Sequence, residues 1–95
     1  MKLFLVVYDV DFEAEVMEAL RASGVASYTL WERVLGVGER SEPKLSTHAW
    51  PSFNRALMVV VGEERAKDLM EHIKPLCLRP QGGIRAYFWE VEEVR

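Results

Sequence analysis

Apolar positions recur along the chain with two different periods, and the switches between them mark out six elements. Lys2 to Tyr8 (KLFLVVY) is β-branched and aromatic, too short for a stable helix, and followed by Asp9-Val10-Asp11, which predicts a first strand. Phe12, Val16, Met17 and Leu20 then share one helical face until Gly24 supplies a C-terminal stop, so a helix is expected over about Asp11 to Ser23. Asp11 is its expected N-cap, and Glu13 and Glu15 put negative charge in the first turn, where the helix dipole favours it. Ala14 stands where a capping box places Glu or Gln, so the cap is partial.

Tyr28, Thr29, Leu30, Trp31 and Val34 carry a second strand within Ala26 to Val37, which runs through Gly36 and Gly38 into a loop over about Gly38 to Ser52. Phe53 to Val61 predicts a third strand, ended by Gly62. Glu63 and Glu64 open a second helix, with Ala66, Leu69, Met70 and Ile73 on one face and a stop near Pro75. The linker LCLRPQGG precedes Ile84 to Val91, the fourth strand.

The order βαββαβ is that of the ferredoxin-like α+β architecture, a four-stranded antiparallel sheet with both helices on one face, in a single domain over residues 1–95. In a monomer the other face meets water and alternates with polar residues. Here Leu3, Leu5 and Val7 oppose Phe4, Val6 and Tyr8 on the first strand. Ala56, Met58 and Val60 oppose Leu57, Val59 and Val61 on the third, and Ile84, Ala86 and Phe88 oppose Tyr87, Trp89 and Val91 on the fourth. A second face this apolar needs a subunit to cover it, so a homo-oligomer is expected.

Composition narrows the partners. The chain has 95 residues, 49% of them apolar and 28% charged, with a net charge of −3, which fits one small folded domain and not a basic surface that grips nucleic acid or anionic membranes. Tyr87-Phe88-Trp89 lack the basic pattern of an RNA-binding strand. The single Cys77 closes no intrachain disulfide and, between Leu76 and Leu78, reads as a buried inert thiol. The N-terminus lacks signal-peptide features and no apolar run approaches the ~20 residues of a membrane span, so a cytoplasmic protein without direct membrane insertion is expected.

Candidate chemistry lies in the loops. Gly36 and Gly38, with Glu39 and Arg40, form one glycine-bearing segment, and Gly82 and Gly83 with Arg85 form another. Glycines let backbone N–H groups approach an anion and the arginines neutralise phosphate or carboxylate, although both pairs also read as a strand end and a turn. The long loop carries His48, open to a metal or a carboxylate, and Trp50, suited to stacking on a planar ligand or packing against a neighbour. His48, His72 and Cys77 show no zinc-site spacing.

Val16-x-x-Ala19-Leu20-x-x-x-Gly24-Val25, then Tyr28-Thr29, then Glu32-x-Val34-x-Gly36-x-Gly38, resemble the nitrogen-regulatory P-II signalling superfamily. Glu42-Pro43, Thr47-His48-Ala49-Trp50-Pro51 with Asn54, and Gly83-Ile84-Arg85-Ala86-Tyr87-Phe88-Trp89 are similar to a divergent P-II-like subgroup. The resemblance implies a homotrimer with ligand clefts between subunits and a long T-loop that changes shape with ligand and docks a partner protein, a membrane transporter among the options. It matches Thr29, Gly36 and Gly38 to positions lining an adenine-nucleotide cleft, and Gly82, Gly83 and Arg85 to the second glycine loop. His48, Trp50 and Asn54 go with the partner-binding loop. The chain departs from the family pattern at several places. Thr29 lies one residue farther from the first glycine, Arg40 replaces a glutamine that helps bind magnesium and 2-oxoglutarate, and Ile84 replaces a lysine. No tyrosine lies between Glu39 and Asn54, and the chain stops at Arg95, short of the family's C-terminal segment.

The expected function is therefore a non-enzymatic P-II-like regulator whose cleft around Gly36, Gly38, Arg40, Gly83 and Arg85 takes a small anionic effector, with an adenine nucleotide as one candidate. Binding is expected to order the loop bearing His48 and Trp50. Three alternatives stand beside it. One is a metal-binding P-II- or CutA-like protein using a divalent metal at His48. Another is a dimeric α+β-barrel enzyme with a pocket of Tyr87, Trp89 and Trp31 and His48 or His72 as base, and the last is an amino-acid-sensing domain of the same element order.

Overall fold

A computed structural model describes residues 1–39, 43–47 and 52–94. The elements are β1 (Lys2–Asp9), a 3-10 turn (Val10–Phe12), α1 (Glu13–Ala22), β2 (Thr29–Val34), β3 (Asn54–Val61), α2 (Glu63–Cys77) and β4 (Ile84–Glu90). The four strands form one antiparallel sheet in the order β2-β3-β1-β4, the ferredoxin-like arrangement that the element order implies.

Boundaries moved for local physical reasons. Asp9, not Asp11, is the first cap: its carboxylate accepts from the Asp11 N–H at 2.9 Å, which starts the 3-10 turn and delays α1 to Glu13. α2 runs past Pro75 to Cys77, because a proline in the last turn forfeits a single helix hydrogen bond at a solvent-facing position. β2 is shorter than expected, and its pairing with β3 is irregular between Trp31 and Val34. The end of α1 follows the sequence closely. Gly24 takes φ +73°, its N–H reaches the Arg21 carbonyl at 3.0 Å, and the Val25 N–H reaches Leu20 at 2.9 Å, a doubly bonded helix stop.

Strand alternation sorts the two faces. Phe4, Val6 and Tyr8 of β1, Leu57 and Val59 of β3 and Ile84 of β4 pack under Val16, Leu20, Leu69 and Ile73 of the helices. Tyr8 is fully buried yet satisfied, since its hydroxyl donates to Glu13 at 2.9 Å and Glu13 in turn accepts from Arg55. On the opposite face the register aligns Thr29, Met58, Leu5 and Tyr87 in one row and Trp31, Ala56, Val7 and Arg85 in the next. Val60, Leu3 and Trp89 extend it, and Trp31, Tyr87 and Trp89 are each about half exposed. The face is apolar as the sequence pattern requires, and Arg85 is its only charge among these positions. Among the described residues no helix is long and apolar enough to cross a membrane.

Candidate functional site

The cavity of interest, about 600 Å³, opens where the C-terminal half of β1 and the first residues of β3 and β4 meet the 78–83 turn. Val7, Ile84 and Leu78 give it apolar walls. Gly38, Glu39, Gly82, Gly83 and Arg85 line it together, so two glycine segments more than forty positions apart in sequence share one site. Arg85 lies on the apolar face beside Val7 and makes no hydrogen bond or ion pair with the described residues, leaving its guanidinium open to a ligand.

The glycine turn has a structural reason of its own. Gly82 and Gly83 adopt φ +67° and +86°, which ordinary side chains resist, and a Cβ on Gly83 would fall 2.4 Å from Phe12 Cε2, whereas one on Gly82 meets none of the described residues within 4 Å. Gly83 is thus a packing residue that lets the Phe12 ring lie against the turn. Its carbonyl accepts the Asp9 N–H at 2.8 Å, which ties the turn to the end of β1.

Other expected residues stand elsewhere. Gly36 sits just outside the cavity, bridged to Lys44 by reciprocal backbone hydrogen bonds of 2.9 and 2.6 Å. Thr29 is exposed on β2, paired with Met58 on the open face and remote from the cavity of its own chain. Asn54, grouped with the loop's partner contacts, instead opens β3 and is buried in the cavity wall. Arg40, His48 and Trp50 lie outside the described residues. Trp31 and Trp89, which the barrel alternative needs on one pocket, occupy opposite edge strands, with β3 and β1 between them. His72 is exposed on α2, its Nδ1 2.7 Å from the Asp68 carbonyl, and no group of three metal-ligating side chains occurs among the described residues.

Sequence reasoning missed two cations. Arg79 pairs with Glu15 and lies 4.9 Å from the Phe12 ring centroid, while its Nε and Nη2 are buried without a hydrogen-bond partner among the described residues. The Arg-Pro step before Gly82 was the available signal. Lys44 projects from the first stem of the loop to the Asp9 carboxylate at 3.3 Å, with both side chains only 12% exposed. Nothing local in the sequence links the two, because only the fold brings β1 to that stem. Cys77 also lines the cavity. Burial raises its thiol pKa, against a hydrogen bond with the Ala86 backbone, so it stays protonated and a poor nucleophile. With Lys44, Arg79, Arg85 and Glu39 on its walls among the described residues, the site suits an anion better than covalent chemistry.

A family model described as nitrogen regulatory protein P-II matches residues 1–95. No curated protein matches the chain significantly. Among solved structures, CPII from Thiomonas intermedia K12, bound to ADP and bicarbonate, superposes with a TM-score of 0.70 at 19% identity, covering 95% of this chain and 86% of that one. A second structure of that PII-like protein, bound to ADP, AMP and bicarbonate, gives 0.72 at 17% identity with the same coverage. A putative PII-like signalling protein from Thermus thermophilus gives 0.66 at 24% identity, covering 93% of this chain and 83% of that one. At these identities the structural likeness is one of fold.

Proposed function

The chain belongs to the nitrogen regulatory protein P-II family, and from that premise we propose that it is a non-enzymatic cytoplasmic regulator that binds a small anionic effector in the cavity bounded by Gly38, Glu39, Gly82, Gly83 and Arg85. The effector we favour is an adenine nucleotide. The observation that carries this reading is the convergence of both glycine segments on one cavity with Arg85, whose guanidinium has no partner among the described residues. The fold neighbours solved with ADP, AMP and bicarbonate support the ligand class.

In this reading the protein is a homotrimer. The apolar outer face of the sheet is the interface, and because Arg85 stands in its last row, the cavity opens beside the seam between subunits. Thr29, on the same face, serves a neighbouring subunit's cleft, while Gly36 supports the site from behind. Arg40 adds positive charge, and the 38–52 loop, with His48 and Trp50, carries the signal to a partner protein such as a membrane transporter. Occupancy shifts the loop between arrangements of different partner affinity.

Native mass spectrometry of the protein alone and with ATP, ADP, AMP, bicarbonate or divalent metals tests this. The expected result is a trimer that takes up three equivalents of an anionic ligand, and an Arg85→Ala variant that keeps the trimer and loses the ligand. A dimer, or ligand uptake that ignores Arg85, refutes the reading; a metal bound without nucleotide favours the version built on His48.

A further inference from the structure

Among the described residues, Lys44 is the cavity cation that is also part of the loop's anchoring. Its backbone is clamped to Gly36 in both directions, so what it can readily move is its side chain. That side chain ends 3.3 Å from Asp9 Oδ2, in a site where neither partner is more than 12% exposed. The same carboxylate faces Ser52 on the loop's second stem, whose Oγ lies 3.4 and 3.5 Å from its two oxygens, and it also accepts the Asp11 N–H. Asp9 thus stitches the two stems of the loop together, and the Ser46 N–H, 3.1 Å from the Ser52 carbonyl, is a second stitch just beyond it. The Asp9 backbone N–H meanwhile holds the glycine turn through Gly83. One residue at the end of β1 therefore touches the loop and the ligand turn at once.

From this we infer that Lys44 is a shared cation, paired with Asp9 and surrendered to a phosphate group when a ligand enters the cavity, so that occupancy unfastens the first stem of the loop from the second. The inference rests on the reading of the cavity as an anion site. Two charge arguments support it. A phosphate carries more negative charge than the single carboxylate it displaces, and Arg85 has no partner among the described residues, so a ligand drawn to Arg85 arrives next to Lys44. Asp9 is not left bare by the exchange, because the Asp11 N–H and the Ser52 hydroxyl remain to it.

The test uses Asp9→Asn, which keeps an oxygen for the Asp11 N–H and removes the charge that holds Lys44, together with Lys44→Gln and the double variant. Binding of ADP and of inorganic pyrophosphate is measured by calorimetry, and exchange of the Ser46 amide by NMR. Asp9→Asn is expected to tighten both anions roughly tenfold, a typical coupling between linked sites. It should also speed Ser46 exchange with no ligand present, as ADP does in the unaltered protein. Lys44→Gln should weaken both anions and cancel the gain in the double variant. Unchanged affinity and unchanged Ser46 exchange in a folded Asp9→Asn protein overturn the inference while leaving the cavity reading intact. A gain for ADP but not pyrophosphate assigns Lys44 to the base or ribose and also overturns it. If neither anion binds even to Asp9→Asn, the cavity reading falls and the inference with it.

Discussion

Gly83→Ala offers a stringent check on the packing around the cavity, because its neighbour supplies an internal control. Both glycines of the turn lie at positive φ, +67° at Gly82 and +86° at Gly83, so alanine at either pays the left-handed penalty of about 1–2 kcal/mol. Only at Gly83 does the new methyl collide, 2.4 Å from Phe12 Cε2 and 2.9 Å from Cδ2, and the ring cannot simply withdraw because the Arg79 guanidinium stands over it. Overpacking of this kind costs about 1–3 kcal/mol more. Gly82→Ala should therefore lose about 1–2 kcal/mol and Gly83→Ala about 2–5 kcal/mol in urea unfolding, measured at one protein concentration because an oligomer's stability depends on it. Phe12→Ala in the Gly83→Ala background should relieve the clash and give a coupling of about 1–3 kcal/mol. Equal losses at the two glycines, or strict additivity with Phe12→Ala, would falsify the steric argument.

Three further outcomes follow from the rest of the molecule. Met58→Asp or Leu5→Asp, which put a charge in the middle of the apolar face, should reduce the native mass to a monomer while far-ultraviolet circular dichroism stays folded; an intact oligomer would remove that face as the interface. Glu13 is held below its ordinary pKa of 4.5, chiefly by the hydrogen bond from Arg55 and against the opposing effect of burial. A lowered carboxylate stabilises the fold above its unfolded pKa and loses that contribution as pH falls through the folded value, so Glu13→Gln should flatten the drop in melting temperature below pH 4.5. Cys77, with its thiol pKa raised mainly by burial, should react with a thiol reagent at pH 8 well below the rate of free cysteine, and a rate equal to free cysteine would contradict its half-buried place.

The sheet was legible because period-two alternation is a direct record of two faces, and Phe4 against Leu3 or Leu57 against Met58 sorts correctly without any tertiary information. Gly24 was legible for a similar reason, since the helix stop it makes is completed within five residues. Asp9 and Asp11 were not separable: two like residues two positions apart can each cap, and the choice depends on the 3-10 turn that only the packed chain selects. The site divides along the same line. Gly38, Gly83 and Arg85 carry local signals of glycine and charge, whereas Lys44 and Arg79 acquire meaning only from Asp9 and Phe12, which the fold brings to them.

The strand order has a consequence for how the molecule comes into being. β1 occupies an inner position whose two neighbours, β3 at Asn54–Val61 and β4 at Ile84–Glu90, both lie well downstream of it in sequence. Phe4, Val6 and Tyr8 are thus made before both of their flanking strands and gain the second only once β4 has been synthesised. The residues ahead of β4 cannot complete this sheet, so folding depends on pairings as distant as Lys2 with Glu90, the kind that slows assembly and leaves apolar strands open meanwhile. A stall or cleavage ahead of Ile84 would accordingly leave a nascent chain without its fold, and the cell's holding and quality-control machinery is where such fragments should appear.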